Sequence, residues 1–139
     1  MGMAIVNDGV KIMLDRTFNA DGDTTYTAPS EFGVGTSSTE PAITDTSTTF
    51  SATDVDITAG NQRKVFESGY PTENATTKQA TIRARLASTE ANGNNLTEFG
   101  VVNTDATELL FTRTTFTSFS KSDTDELIFV QKIGIDNEI

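Results

Sequence analysis

The most constraining feature of this sequence is a strict two-residue alternation along residues 77–88. Small and apolar side chains occupy most of one face, and polar or charged side chains occupy the other. The first face comprises Lys78, Ala80, Ile82, Ala84 and Leu86. Successive side chains of a strand point to opposite faces of a sheet, so this run predicts a half-buried β-strand.

The rest of the chain favours strands as well. Thr is the commonest residue, with 25 of 139 positions, and its branched Cβ suits a pleated surface. Further candidate strands, separated by short polar turns, are residues 26–34 (interrupted by Pro29), 50–57 (with a bulge near Asp54), 62–70, 96–102, 109–116 and 125–135. With no helices between them, these segments predict a single domain over residues 1–139, an all-β, jelly-roll-like antiparallel β-sandwich.

One short helix is expected near the start of the chain, over residues 8–18. Asn7 is a suitable N-cap, and Asp8 lies in the first turn, where the helix dipole favours an acid. The predicted buried stripe has helical spacing and consists of Val10, Met13, Leu14 and Phe18. Residues 19–23 then form a turn cluster.

The composition excludes several chemistries. His, Cys and Trp are absent, so Ser-His-Asp and Cys-His catalysis, disulfides and His- or Cys-bearing zinc sites are excluded. The net charge of −10 makes nucleic acid and anionic membranes unsuitable partners. No apolar run approaches the roughly 20 residues that span a bilayer, and residues 1–6 lack the basic region of a signal peptide. We predict no enzyme activity and no cofactor.

Three weaker site patterns have simpler interpretations. Residues 19–23 (Asn-Ala-Asp-Gly-Asp) place oxygen ligands at alternating positions, but their Gly falls too early for a calcium loop, so a solvated turn is favoured. Gly33 and Gly35 lack the third Gly and the Lys of a phosphate cradle. A carboxylate pair for glycoside hydrolysis needs a cleft, and a glycan site needs an aromatic platform, for which Tyr26 and Tyr70 are the candidates.

Arginine is scarce enough for its positions to be informative. Antiparallel pairing with turns near residues 91–92 and 105–106 would bring Arg85 and Arg113 opposite Glu98. We therefore predict a cross-strand ionic row of Arg85, Glu98 and Arg113. The alternative is that Arg83 and Arg85 face an acidic neighbouring subunit.

Four segments resemble, in order, small structural proteins of tailed bacteriophages. Residues 35–46 (GTSSTEPAITDT) are similar to the family's GTGTTAPAATDTAL, and residues 96–101 (LTEFGV) to ITELGLF. Residues 110–116 (LFTRTTF) resemble LLARTTF, and residues 119–127 (FSKSDTDEL) resemble ISKTSDDTLTI. The insert around residues 61–74 and the Ser-Thr-Thr at 47–49 depart from the family pattern.

The resemblance implies a non-enzymatic β-sandwich, tail- or fibre-associated in a virion and assembled in the host cytoplasm. Its expected partners are copies of itself, with a trimer as one assembly, and other virion proteins. The expected core is Phe99, Phe111, Phe116 and Phe129. Expected contacts are the loops 35–49 and 60–75, including Pro41 and Tyr70, together with Arg83. The alternatives are a capsid decoration (cement) protein and a module that binds a host-surface glycan.

Overall fold

A computed structural model describes residues 2–18 and 25–134, and these residues form two antiparallel sheets and two short helices. The elements in chain order are β1 (Gly2–Ile5), α1 (Asn7–Phe18), β2 (Glu31–Gly35), α2 (Ser47–Ser51), β3 (Lys64–Val65), β4 (Thr72–Asn74), β5 (Gln79–Leu86), β6 (Asn95–Val102), β7 (Leu110–Ser120) and β8 (Leu127–Gly134). The predicted all-β sandwich with an N-terminal helix is confirmed.

The two sheets have the strand orders β1-β7-β6-β2-β3 and β4-β5-β8. β6 and β7 form a hairpin in the first sheet, whereas β5 and β8, which precede and follow that hairpin, pair with each other in the second. Aromatic contacts join the sheets, since Phe129 of β8 stacks on Phe99 of β6 with ring centroids 4.8 Å apart. The apolar core therefore lies between the sheets, and its largest fully buried members include Phe32, Leu86 and Leu96.

The alternation predicted for residues 77–88 is present in β5. Ile82, Ala84 and Leu86 are buried, whereas Arg85 on the opposite face is exposed. The period of two thus identified both the strand and the face that it buries.

Helix α1 has the predicted extent, but the predicted buried stripe is wrong. Val10, Leu14 and Phe18 are exposed, and only Met13 of that stripe packs against the core. The buried positions are Gly9 and Ile12. Gly9 is decisive because the helix approaches β7 so closely that a Cβ at this position would lie 2.3 Å from the carbonyl oxygen of Phe111.

The start of α1 also differs slightly from the prediction. Asn7 is the first helical residue rather than the cap, and the carbonyl oxygen of Val6 accepts from the amide of Val10. Val6 is fully buried, and the amide of Asn7 donates to the carbonyl oxygen of Ile43. The helix begins where the chain leaves β1, because β1 and the loop before α2 fix the backbone there.

The strand predicted for residues 50–57 is wrong, because Phe50 and Ser51 belong to α2 and the residues that follow form no strand. Thr46 caps this helix, because its hydroxyl accepts from the amide of Thr49 while the Thr49 hydroxyl accepts from the amide of Thr46. The capping places Phe50 in a fully buried position, where its ring fills the space above Gly33 and Gly100. A local capping motif therefore outweighs the β propensity of Thr in this segment. The bulge predicted near Asp54 is instead an isolated bridge between Asp54 and Gly35.

Two other predicted strands are shorter than expected. The segment 26–34 contributes only β2, which begins after Pro29, a residue with no amide to donate to a ladder. The segment 62–70 contributes only β3. The short strands β1 and β4 were not predicted, because runs of four and three residues carry too little alternation.

The close approach of α1 to β7 gives the first testable prediction. Gly-to-Ala substitutions inside helices ordinarily stabilise. We expect Gly9→Ala to do the reverse, lowering the free energy of unfolding by about 1–3 kcal/mol as α1 is pushed off β7. Chemical denaturation measures the change. The control is Thr17→Ala on the exposed face of the same helix, which should be neutral or slightly stabilising, and equal behaviour of the two variants would contradict the packing described.

Candidate functional site

The most buried polar feature is an ion pair between Glu98 of β6 and Arg113 of β7. Arg113 Nε donates to Glu98 Oε2 at 2.9 Å, and their side chains are 3% and 0% exposed. Glu98 lies opposite Thr115, and Arg113 lies opposite Gly100, so the contact is diagonal across the hairpin. The register is regular from Glu98 to Val101, so Glu98 and Arg113 are diagonal neighbours, two positions apart on the same face.

The same ion pair holds the loop that follows β2. Arg113 donates through Nη1 to Asp45 at 3.0 Å and through Nη2 to the hydroxyl of Ser37 at 3.1 Å. Glu98 Oε1 accepts from the amide of Ser37 at 3.2 Å and from the hydroxyl of Thr53. We call Glu98, Arg113, Asp45, Ser37 and Thr53 the central cluster. It ties residues 37–53 to the middle of the five-stranded sheet.

Arg85 does not belong to the predicted row. It lies in β5, which pairs with β8 rather than β6, and it forms a half-exposed pair with Glu126 at 2.6 Å. Its neighbour on the same face, Arg83, pairs with Glu67 at 2.5 Å. The prediction assumed that β5 and β6 form a hairpin, but the chain crosses between the sheets at this point.

A second cluster, not predicted, surrounds Arg63 beside α2. Arg63 binds both carboxylate oxygens of Glu108, at 2.8 and 2.9 Å, and contacts Asp54 at 2.7 Å. Its guanidinium also lies 5.1 Å from the ring centre of Phe50, a cation–π distance. Ser47 donates to Glu108 at 2.6 Å. The cluster joins α2 and the loop that follows it to the loop between β6 and β7, and Glu108 is 45 residues from Arg63, so no local motif could have indicated the contact.

The two acids of the Arg63 cluster are perturbed in opposite directions. Burial disfavours the charged form of Glu108, but hydrogen bonds from Arg63 and Ser47 outweigh it and lower the pKa of Glu108. Burial raises the pKa of Asp54, and repulsion from Glu108 and Glu98 adds to it against the attraction of Arg63. Both acids contact the guanidinium of Arg63, so protonation of either one changes the charge around the other.

The predicted core aromatic residues all lie at the sheet interface. Phe99 and Phe111 are buried, and Phe116 and Phe129 are partly buried and pack against the same core. Phe116 lies 5.6 Å from Phe129 between ring centres.

The tyrosines and the proline singled out in the sequence are half-buried. Tyr26 and Tyr70 pack against the core. Pro41 is half-buried near Gly2 of β1. The loops 35–49 and 60–75 contribute exposed apolar side chains elsewhere, at Ile43 and Val65.

Large apolar side chains are exposed at several places on the surface. They are Met3, Val10, Leu14, Phe18, Ile43, Val65, Phe119, Ile128 and Val130. A mainly apolar groove of about 620 Å³ also opens beside α1, and its lining includes Met13, Pro29, Ala80, Phe111 and Ile133. A contiguous apolar groove is characteristic of contacts with another molecule, whereas single exposed apolar side chains are common on protein surfaces.

The described ranges contain no group of three or more acidic, His or Cys side chains able to hold a metal ion. The turn at residues 19–23, considered above for calcium, lies outside those ranges. Within residues 2–18 and 25–134, neither helix has the length and apolar character needed to cross a membrane. In comparisons with protein-family models, with curated proteins and with solved structures, nothing matches this chain.

The central cluster predicts a large loss of stability when its cation is removed. Arg113→Met leaves Glu98 buried without its partner, and we expect a loss of about 3–5 kcal/mol in the free energy of unfolding. Amide hydrogen exchange in residues 37–45 should accelerate as well, because Arg113 holds Ser37 and Asp45. The matched control is Arg85→Met, which removes an exposed pair and should change neither measurement. Similar losses for the two variants would contradict this assignment.

The Arg63 cluster predicts an acid dependence. The pKa of Glu108 is lowered on folding, so its stabilising contribution is present above its ordinary value of 4.5 and is lost as the pH falls through the folded pKa. Glu108→Gln should therefore be less stable near neutral pH but lose stability less steeply on acidification.

Asp54→Asn should behave in the opposite way. The pKa of Asp54 is raised, so the folded state takes up a proton more readily than the unfolded chain, and this uptake favours folding on acidification. Removing the group should therefore make the loss of stability steeper between the raised folded pKa of Asp54 and its ordinary value of 3.8, and should leave the slope below that value unchanged. Unfolding midpoints across a pH series measure both slopes, and equal slopes for the two variants would contradict the assignment.

Proposed function

We propose that this chain is a non-enzymatic structural protein of a tailed-phage virion, associated with the tail or a fibre. One observation carries the proposal. Three of the four segments that resemble the phage family contribute to the central cluster: Ser37 and Asp45 come from the first, Glu98 from the second and Arg113 from the third. Asp45, Glu98 and Arg113 are identical in the family segments, whereas Ser37 stands where the family segment has Gly. The resemblance thus covers three charged residues that act together, and a match of this kind is hard to attribute to Thr-rich composition alone.

The surface supports action through protein–protein contact. A mainly apolar groove of about 620 Å³ opens beside α1, and contiguous apolar surface of this kind marks contact sites. The central cluster fixes the loop at residues 37–45, so Ile43, which is exposed on it, is held in a defined position. A preorganised surface loses less conformational entropy on association than a disordered one.

The alternative structural function is capsid decoration, which would use the same surfaces against the shell. Recognition of a host-surface glycan is the weaker alternative, because Tyr26 and Tyr70 are half-buried against the core. Both structural functions require a place in the particle, and they differ only in whether that place is the tail or the head.

The proposal is tested on the phage or prophage that carries the gene. Mass spectrometry of density-purified virions, separated into heads and tails, should find the chain in the tail fraction. Recovery in the head fraction alone would replace the tail assignment with decoration. Presence in the infected-cell lysate but absence from purified particles would overturn the virion function. Binding to a glycan array that is lost on Tyr26→Ala or Tyr70→Ala would favour the glycan alternative.

A further inference from the structure

The edge of the three-stranded sheet differs from the other sheet edges. The edge strands β1, β3 and β4 have four, two and three residues, whereas β8 has eight. Proteins commonly protect their sheet edges by keeping them short, charged or covered. β8 pairs with β5 on one side, and within residues 2–18 and 25–134 no strand pairs with its other side.

The backbone groups that face outward from β8 can be identified from its partner β5. The carbonyl of Arg83 accepts from the amide of Glu67, on the side of β5 away from β8. Arg83 lies opposite Val130, so these two residues form a pair that is not hydrogen-bonded, and Val130 directs its own amide and carbonyl away from β5. By the same alternation, Ile128 and Lys132 also direct their backbone amide and carbonyl groups away from β5.

The side chains at these positions are suited to a second copy of the same strand. Ile128 and Val130 are 46% and 56% exposed, and Lys132 beyond them is exposed as well. Glu126, immediately before β8, lies on the same face. Read along the strand, this face is Glu126, Ile128, Val130 and Lys132. When two copies run antiparallel, the sequence complements itself, with apolar pairs in the centre and opposite charges at both ends.

We propose that two copies of this chain pair through the free edge of β8, in the register that places Ile128 opposite Val130 and Glu126 opposite Lys132 of the other copy. The two three-stranded sheets then become one six-stranded sheet. Glu126 already accepts from Arg85, and its carboxylate has capacity for a second donor. This inference rests on the proposed assembly function and names the surface by which copies meet.

The backbone part of the proposal is tested with Val130→Pro. Pro removes an amide that points out of the sheet, so the ladder between β5 and β8 keeps its hydrogen bonds. We expect a dimer of the unaltered chain in a concentration series by light scattering and sedimentation, and a monomer for Val130→Pro with unchanged circular dichroism. The control Val130→Thr keeps the amide and the strand propensity and should still dimerise.

The register is tested with charge variants that do not alter the backbone. In the proposed register the pair of positions 126 and 132 occurs at both ends of the interface. Lys132→Glu alone, or Glu126→Lys alone, therefore places like charges opposite each other at both ends. Each variant should raise the dimer dissociation constant by about tenfold or more. An equimolar mixture of the two variants restores both opposite-charge pairs, so heterodimers should form. These measurements decide the proposal even if Val130→Pro fails to fold.

Three results would overturn the pairing. They are a monomer at every concentration, an oligomer unaffected by Val130→Pro, and variants whose mixture gains no affinity. Each is distinct from failure of the virion function, because a chain found in purified particles but monomeric in solution overturns the pairing alone. A dimer absent from particles would overturn the virion function and leave the pairing intact.

Discussion

The buried pair of Glu98 and Arg113 is the interaction on which most of this architecture depends. Moving two charges out of water costs several kcal/mol per ion, so such a pair persists only when its remaining donors and acceptors are satisfied. Here Ser37, Asp45 and Thr53 satisfy them. These hydrogen bonds also fix the Thr- and Ser-rich segment of residues 37–53 against the five-stranded sheet.

The same principle explains how a strongly acidic chain keeps its acids close together. Arg113 contacts Glu98 and Asp45, and Arg63 contacts Asp54 and Glu108, so two carboxylates share each of these arginines. Residues in or next to α2 contribute to both clusters, and Phe50 of this helix packs above glycines of β2 and β6. Side chains in those glycine positions would displace the ring, so the helix and both clusters depend on the same close packing.

The sequence pattern predicted the elements whose residues repeat with a clear period. The alternation of β5 requires a strand, and its apolar face is the buried one. Helix α1 also has its predicted extent, yet its hydrophobic side chains did not identify its buried face. The helix approaches β7 through Gly9, which hydrophobicity does not mark. At α2, capping by Thr46 and the burial of Phe50 above Gly33 and Gly100 together outweigh the strand propensity of the Thr residues.

The sequence by itself determined the fold class, the strand positions after residue 77 and the absence of His and Cys chemistry, because these follow from composition and short-range periodicity. Only the tertiary structure decided which charges meet. Arg85 and Arg113 look alike in the sequence, but a chain crossover puts one on an exposed face with Glu126 and the other at the centre of a buried cluster. Pairing between strands depends on sheet order and register, and both are set by contacts between residues distant in sequence.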